Sequence, residues 1–121
     1  MNKKVLVADD DPVVRILVSE FLSSKGYQVD TLDSGGACLE YLKQEVPDVL
    51  LLDLLMPDMT GIEVLRTVRN DPRTSRLPIV MLSADTDTES VISTNDLSAD
   101  AYVQKPFGMN EIISVMEQIL K

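Results

Sequence analysis

Four short stretches, far apart in the chain, carry side chains with chemistry to offer. They are Asp9-Asp10-Asp11-Pro12, Asp53 in Leu52-Asp53-Leu54, Ser83-Ala84-Asp85, and Lys105-Pro106-Phe107. There is no histidine, and Cys38 is the single cysteine. Histidine-dependent metal sites, histidine triads and internal disulfides are thereby removed. Chemistry must run on carboxylates, hydroxyls and a lysine ammonium. That set suits phosphoryl transfer, in which charge on the equatorial oxygens is neutralised by positioned donors and cations.

The elements between these stretches decide whether they meet. Val5-Leu6-Val7-Ala8, Val49-Leu50-Leu51-Leu52 and Ile79-Val80-Met81-Leu82 are unbroken apolar runs, as central strands covered on both faces require. Residues 27–32 alternate apolar and polar, and Ala101-Tyr102-Val103-Gln104 is short and mixed, so these two read as edge strands. Val14, Leu17, Val18 and Phe21 mark a first helix that stops at Lys25-Gly26. Further helices are expected over 35–46, 60–70, 87–96 and 109–120, the last with Ile112, Met116 and Ile119 on one stripe. Five such βα pairs define an α/β chain around a parallel sheet. Right-handed crossovers put helices on both faces, and sites form beyond the carboxyl ends of the strands. All four chemical stretches belong at that rim.

At 121 residues the chain is expected to form one domain, 1–121. With 45% hydrophobic but only 4% aromatic residues, its core is aliphatic. Twenty acidic against 11 basic residues give a net charge of -9, which repels nucleic acid and anionic membrane surfaces. No apolar run approaches the roughly 20 residues that span a bilayer, and Met1-Asn2-Lys3-Lys4-Val5 lacks a signal peptide's apolar stretch. The expected location is the cytoplasm.

Asp9 and Asp10 alone would read as a solvated acidic loop. Joined by Asp53 they repel one another unless a hard cation sits among them, and carboxylate oxygens suit Mg²⁺. Asp11, directly before Pro12, fits a helix N-cap better than a metal ligand. Asp58 and Thr60 read as turn and helix-cap residues before Gly61. Cys38, at helical spacing from Leu42, reads as core, and Asp85, Asp87 and Glu89 as a solvated surface.

Val5 to Pro12, Leu52 to Gly61 (Leu-Asp-Leu-Leu-Met-Pro-Asp-Met-Thr-Gly), Met81-Leu82-Ser83-Ala84 and Tyr102 to Phe107 together resemble the receiver domains of two-component response regulators, over essentially the whole chain. The resemblance implies a flavodoxin-like, doubly wound sheet of order 2-1-3-4-5. It makes Asp53 the phosphoacceptor, with Asp10 and Asp53 binding Mg²⁺ directly, Asp9 acting largely through water, and Leu55 contributing its backbone carbonyl. Lys105 and Ser83 bind phosphoryl oxygens, Ser83 and Tyr102 form the switch, and the Lys105-Pro106 bond is cis. Leu55, which cannot orient water, and Asp85, whose charge meets approaching anions, stand where phosphate lifetime is set; a moderately long-lived phosphate is expected.

The implied donor is a phosphohistidine on a sensor histidine kinase or phosphotransfer protein. The implied output is a downstream protein or a covalently linked effector domain, reached through helix 4, strand 5 and helix 5, with the chain a monomer or a weak dimer through that face. It is a signalling phosphoacceptor that promotes its own phosphorylation and dephosphorylation, not an enzyme. A haloacid-dehalogenase-type phosphatase would need a second aspartate where Leu55 stands. A flavodoxin-like cofactor binder would need a Ser/Thr-rich phosphate loop where the three aspartates stand. A receiver-fold scaffold working without phosphorylation usually lacks an acid, hydroxyl or lysine that this chain keeps.

Overall fold

The structure is a computed structural model that describes residues 2–120; Met1 and Lys121, the outermost positions of the expected domain, lie outside the described residues. Strands β1 (Lys4–Ala8), β2 (Gln28–Leu32), β3 (Val49–Asp53), β4 (Ile79–Ser83) and β5 (Ala101–Gln104) alternate with helices α1 (Pro12–Ser24), α2 (Gly35–Gln44), α3 (Gly61–Asn70), α4 (Thr88–Thr94) and α5 (Met109–Ile119). All strand pairs are parallel, in the order β2-β1-β3-β4-β5. The three apolar runs are therefore central and the two mixed ones are edges, as their composition requires.

Alternation along each central strand divides the core in two. Leu6 and Ala8, Leu50 and Leu52, and Ile79 and Met81 face Cys38 and Leu42 of α2, Val64, Leu65 and Val68 of α3, and Ile92 of α4. Val5 and Val7, Val49 and Leu51, and Val80 and Leu82 face Val18 and Leu22 of α1 and Ile112 and Met116 of α5. Each fully buried aliphatic side chain stabilises by roughly 1.5–3 kcal/mol. An exposed ion pair such as Lys43 with Glu40 (2.8 Å) contributes about 0–1 kcal/mol. The aliphatic layers decide the architecture, and the rigid sheet they clamp carries the rim residues.

Helix ends follow local chemistry. Asp11 caps α1, its Oδ1 accepting from Val13 N at 2.9 Å, with Pro12 at the first helical position. Two carboxyl ends close alike. After α1, Gly26 N and Tyr27 N donate back to Ser23 O and Leu22 O; after α4, Asp96 N and Leu97 N donate to Ser93 O and Ile92 O. This paired closure requires a left-handed residue. Gly26 supplies it at φ 95, but at α4 the residue is Asp96, at φ 57.

Two helices are shorter than their sequence pattern. Glu45 turns extended (φ -153, ψ 139), so α2 stops two residues short of Val46, the residue that Pro47 itself keeps out of the helical region. Helix α4 loses both ends, since Asp87 makes no side-chain cap and Asn95-Asp96 form the closing turn. Replacing Asp96 by Gly removes the left-handed penalty on a side chain, so Asp96→Gly should raise unfolding free energy by about 1 kcal/mol in urea titrations. Gly26→Ala should lower it by a similar amount.

Candidate functional site

Parallel register sets the site. Ala8 lies beside both Leu32 and Leu52, Asp53 beside Leu82, and Ser83 beside Gln104. The residues that follow β1, β4 and β5 thus emerge with Asp53 at one rim. They surround an open cleft of about 780 Å³ lined by Asp10, Asp11, Pro12, Asp53, Leu55, Ser83, Ala84, Asp85 and Lys105. Asp9 lies fully buried beside it and Asp53 is 5% exposed, while Asp10 is exposed.

Asp9, Asp10 and Asp53 each offer a carboxylate oxygen within 4.8 Å of the others. Lys105 reaches into this group from the end of β5, its Nζ 2.8 Å from Asp9 Oδ2 and 3.4 Å from Asp53 Oδ1. The Asp9 contact is an ion pair without hydrogen-bond alignment, so among the described residues Asp9 Oδ2 is the one buried side-chain polar atom without a hydrogen bond. Asp9 Oδ1 accepts from Asp11 N at 2.9 Å. A group of three carboxylates contacted by a single ammonium fits a small, hard divalent cation.

The electrostatics agree with that fit. Burial first, and the Asp9 charge second, push Asp53 from the ordinary 3.8 up to about 7, although Lys105 pulls the other way. Burial alone would lower the Lys105 ammonium, but Asp9 and Asp53 more than offset it and its pKa rises. The lysine stays charged while Asp53 holds its proton more tightly than a free carboxyl does.

Ser83 is buried, and its Oγ accepts from Asp85 N at 2.9 Å. That contact uses a lone pair and leaves the hydroxyl proton free to donate. Leu55 is 68% exposed on the cleft wall, and its N–H lies 3.5 Å from Asp53 Oδ1. Tyr102 does not line the cleft. Its ring is partly buried against the α2–α4 side of the core, and its hydroxyl accepts from Ala99 N at 3.2 Å. The Lys105-Pro106 bond is cis.

Two contacts escaped the sequence reading. Arg15 donates from Nη1 to Asp9 O at 2.8 Å, holding the peptide between the two adjacent acids. Thr60 does cap α3, accepting from Glu63 N at 3.3 Å. Asp58, however, caps another helix: its two oxygens accept from Gly35 N and Gly36 N at the start of α2. The glycine pair was the only local signal.

Comparison with known proteins agrees with the fold. The response regulator receiver domain family matches residues 5–117, and the chain belongs to it. The DNA-binding response regulator MtrA of Mycolicibacterium smegmatis is 39% identical over 114 residues, 94% of this chain and 49% of that protein. The transcriptional regulatory protein KdpE of Mycobacterium tuberculosis is 41% identical over 110 residues, 91% of this chain and 47% of that one. The chain spans about half the length of the curated relatives it matches. The chemotaxis response regulator CheY4 of Vibrio cholerae superimposes with a TM-score of 0.92 at 31% identity, covering 99% of this chain and 100% of that one.

A carboxyl group with a raised pKa keeps a proton in the folded state that the unfolded chain has released, so folding stability falls as pH rises from about 4 to about 7. Without divalent ions, Asp53→Asn removes this loss. Its stability over wild type in urea titrations should grow across that window to on the order of 2 kcal/mol. A difference independent of pH would refute the burial of an ionisable Asp53.

Proposed function

We propose that the chain is a phosphoacceptor that takes a phosphoryl group on Asp53 in a Mg²⁺-dependent reaction, residues 1–121 forming one receiver domain. The observation that carries this reading is a buried Asp53 carboxylate grouped with Asp9 and Asp10 and in contact with the Lys105 ammonium at the cleft. Asp10 and Asp53 would hold Mg²⁺ directly and Asp9 largely through water, with the Leu55 carbonyl as a further ligand. When bound, the ion supplies positive charge to the phosphoryl oxygens and favours the ionised form of Asp53.

An ionised Asp53 oxygen attacks the phosphorus of a phosphohistidine in line with the P–N bond. That bond breaks, its electron pair stays on the imidazole nitrogen, and an acyl phosphate remains on Asp53. Lys105, already 3.4 Å from the nucleophile, pairs with one phosphoryl oxygen, and the free Ser83 proton is donated to another. Water later attacks phosphorus and returns the carboxylate and inorganic phosphate. The domain thereby promotes its own phosphorylation and dephosphorylation without turning over an outside substrate as an enzyme would. The Leu55 side chain offers no group to orient that water, and the Asp85 carboxylate on the cleft wall opposes anions; both favour a long-lived phosphate.

The donor is a sensor histidine kinase or phosphotransfer protein. The output is a downstream protein or a covalently linked effector domain, a reading supported by relatives about twice as long as this chain. Switching runs through Ser83 and Tyr102 to the α4-β5-α5 face, which also supports at most a weak dimer. Among the described residues no helix is long and apolar enough to cross a membrane, and a net charge of -9 disfavours nucleic acid; the cytoplasm is the proposed location.

Incubation with acetyl phosphate and Mg²⁺, followed by intact mass measurement, should add one phosphoryl group to wild type and none to Asp53→Asn. Equal labelling of both would sink the assignment. On the labelled protein at neutral pH, the phosphate should persist well beyond seconds, and Leu55→Asn should shorten its lifetime severalfold by giving water a polar partner.

A further inference from the structure

We infer that Asp58 is a positioning residue for the phosphoryl site: its carboxylate clasps the β3–α3 loop to the start of α2 and so fixes the Leu55 segment that walls the cleft. The inference rests on the phosphoacceptor reading above. It starts from how that loop is held. Its base is closed by Gly61 N donating to Leu54 O at 2.6 Å and by an antiparallel bridge between Leu55 and Thr60. Toward the nucleophile the hold is weak, since the Leu55 N to Asp53 Oδ1 distance of 3.5 Å lies at the edge of hydrogen bonding. The loop therefore needs a second anchor to keep Leu55 in place.

Asp58 supplies that anchor across the molecule. Its Oδ1 accepts from Gly35 N at 3.0 Å and its Oδ2 from Gly36 N at 2.7 Å. These are two charge-assisted bonds to successive amides at the positive end of a helix. The helix's own N-cap, Ser34, accepts only from Ala37 N, so Asp58 satisfies the two donors that Ser34 leaves open. The approach is close on the receiving side. A Cβ on Gly36 would stand 3.0 Å from Asp58 Oδ2, and one on Gly35 would crowd the Met59 side chain, with Met59 Sδ at 2.9 Å. The contact joins segments more than 20 residues apart.

Mg²⁺ titration calorimetry at an ionic strength that screens distant charges tests this. It compares wild type, Asp58→Ala, Asp58→Asn and Arg73→Ala, the last breaking a 2.5 Å bond to Leu42 O at the far end of α2. Both Asp58 variants lose the same charge, but the amide keeps an acceptor for the glycine N–H groups. Mg²⁺ affinity should fall about tenfold in Asp58→Ala, as for the loss of other groups that orient a metal site, and at most about threefold in Asp58→Asn. Arg73→Ala should bind as wild type does. Amide exchange at Leu55 should quicken in Asp58→Ala, and acetyl phosphate labelling at saturating Mg²⁺ should slow in the same order as affinity. Unchanged affinity in Asp58→Ala, or equal losses in both Asp58 variants, overturns the positioning role while leaving the phosphoacceptor reading intact. A wild type that neither binds Mg²⁺ nor accepts phosphate overturns both.

Discussion

Three carboxylates held within 4.8 Å of one another are the constraint around which the rest of this structure is arranged. At that separation each like-charged pair costs about 3–4 kcal/mol at an effective dielectric constant of 20. One ammonium, Lys105, contacts two of them. Three negative charges against one positive leave an excess of two, which a proton on Asp53 reduces by one and a divalent cation cancels. The raised Asp53 pKa, caused first by burial and second by the Asp9 charge, is in part an expression of that excess. Only a scaffold with stability to spare holds such a group, and the doubly layered aliphatic sheet provides it: side chains of β1, β3 and β4 are almost wholly buried on both faces.

Stability is not spread evenly over that scaffold. Helix α4 is short, lacks a side-chain N-cap and closes on a left-handed aspartate. It also begins at Thr88, a short loop after the Ser83 strand end. Few buried contacts and a poor cap place it at the low end of local stability, beside the hydroxyl that faces the cleft. By contrast α3 is capped by Thr60, and Arg69 ties its end to Ser75 O, Leu77 O, Ser98 O and Asp100. The molecule has a fixed side and a yielding side, and the cleft lies between them.

Much of this was legible in the residues themselves. Unbroken apolar runs located the central strands, alternation and mixed composition located the edges, and strand-end acids, hydroxyl and lysine located the site. Asp11-Pro12 announced its cap because capping is a local interaction. The errors came where local patterns compete with geometry. Apolar spacing continued α2 to Val46, but Pro47 bars Val46 from the helical region and the helix ends ahead of it, at Gln44. Asp58 read as a turn residue, and beyond that turn it also caps α2, the helix before β3. Its partners are 23 and 22 residues away, and no periodicity encodes a contact of that range. Arg15 likewise sits on α1 for reasons of helix pattern, yet its guanidinium serves the Asp9 carbonyl.

The link from cleft to surface can be followed bond by bond. Ser83 Oγ accepts from Asp85 N, Asp85 Oδ1 accepts from Asp87 N, and Asp85 O accepts from the Thr88 hydroxyl that opens α4. Under the phosphoacceptor reading, Ser83 is drawn toward a phosphoryl oxygen, and any movement of its oxygen strains the first bond of this chain. The strain would fall on α4, a seven-residue helix without a side-chain N-cap. On the next strand the Tyr102 hydroxyl is tethered to Ala99 N, in the loop between α4 and β5, so a shift of that loop also releases the ring. The bias available is limited to the difference in contacts that the phosphate makes in the two arrangements. Under the same reading, a weak α4 would let a few new hydrogen bonds in the cleft redistribute the populations of a distant face.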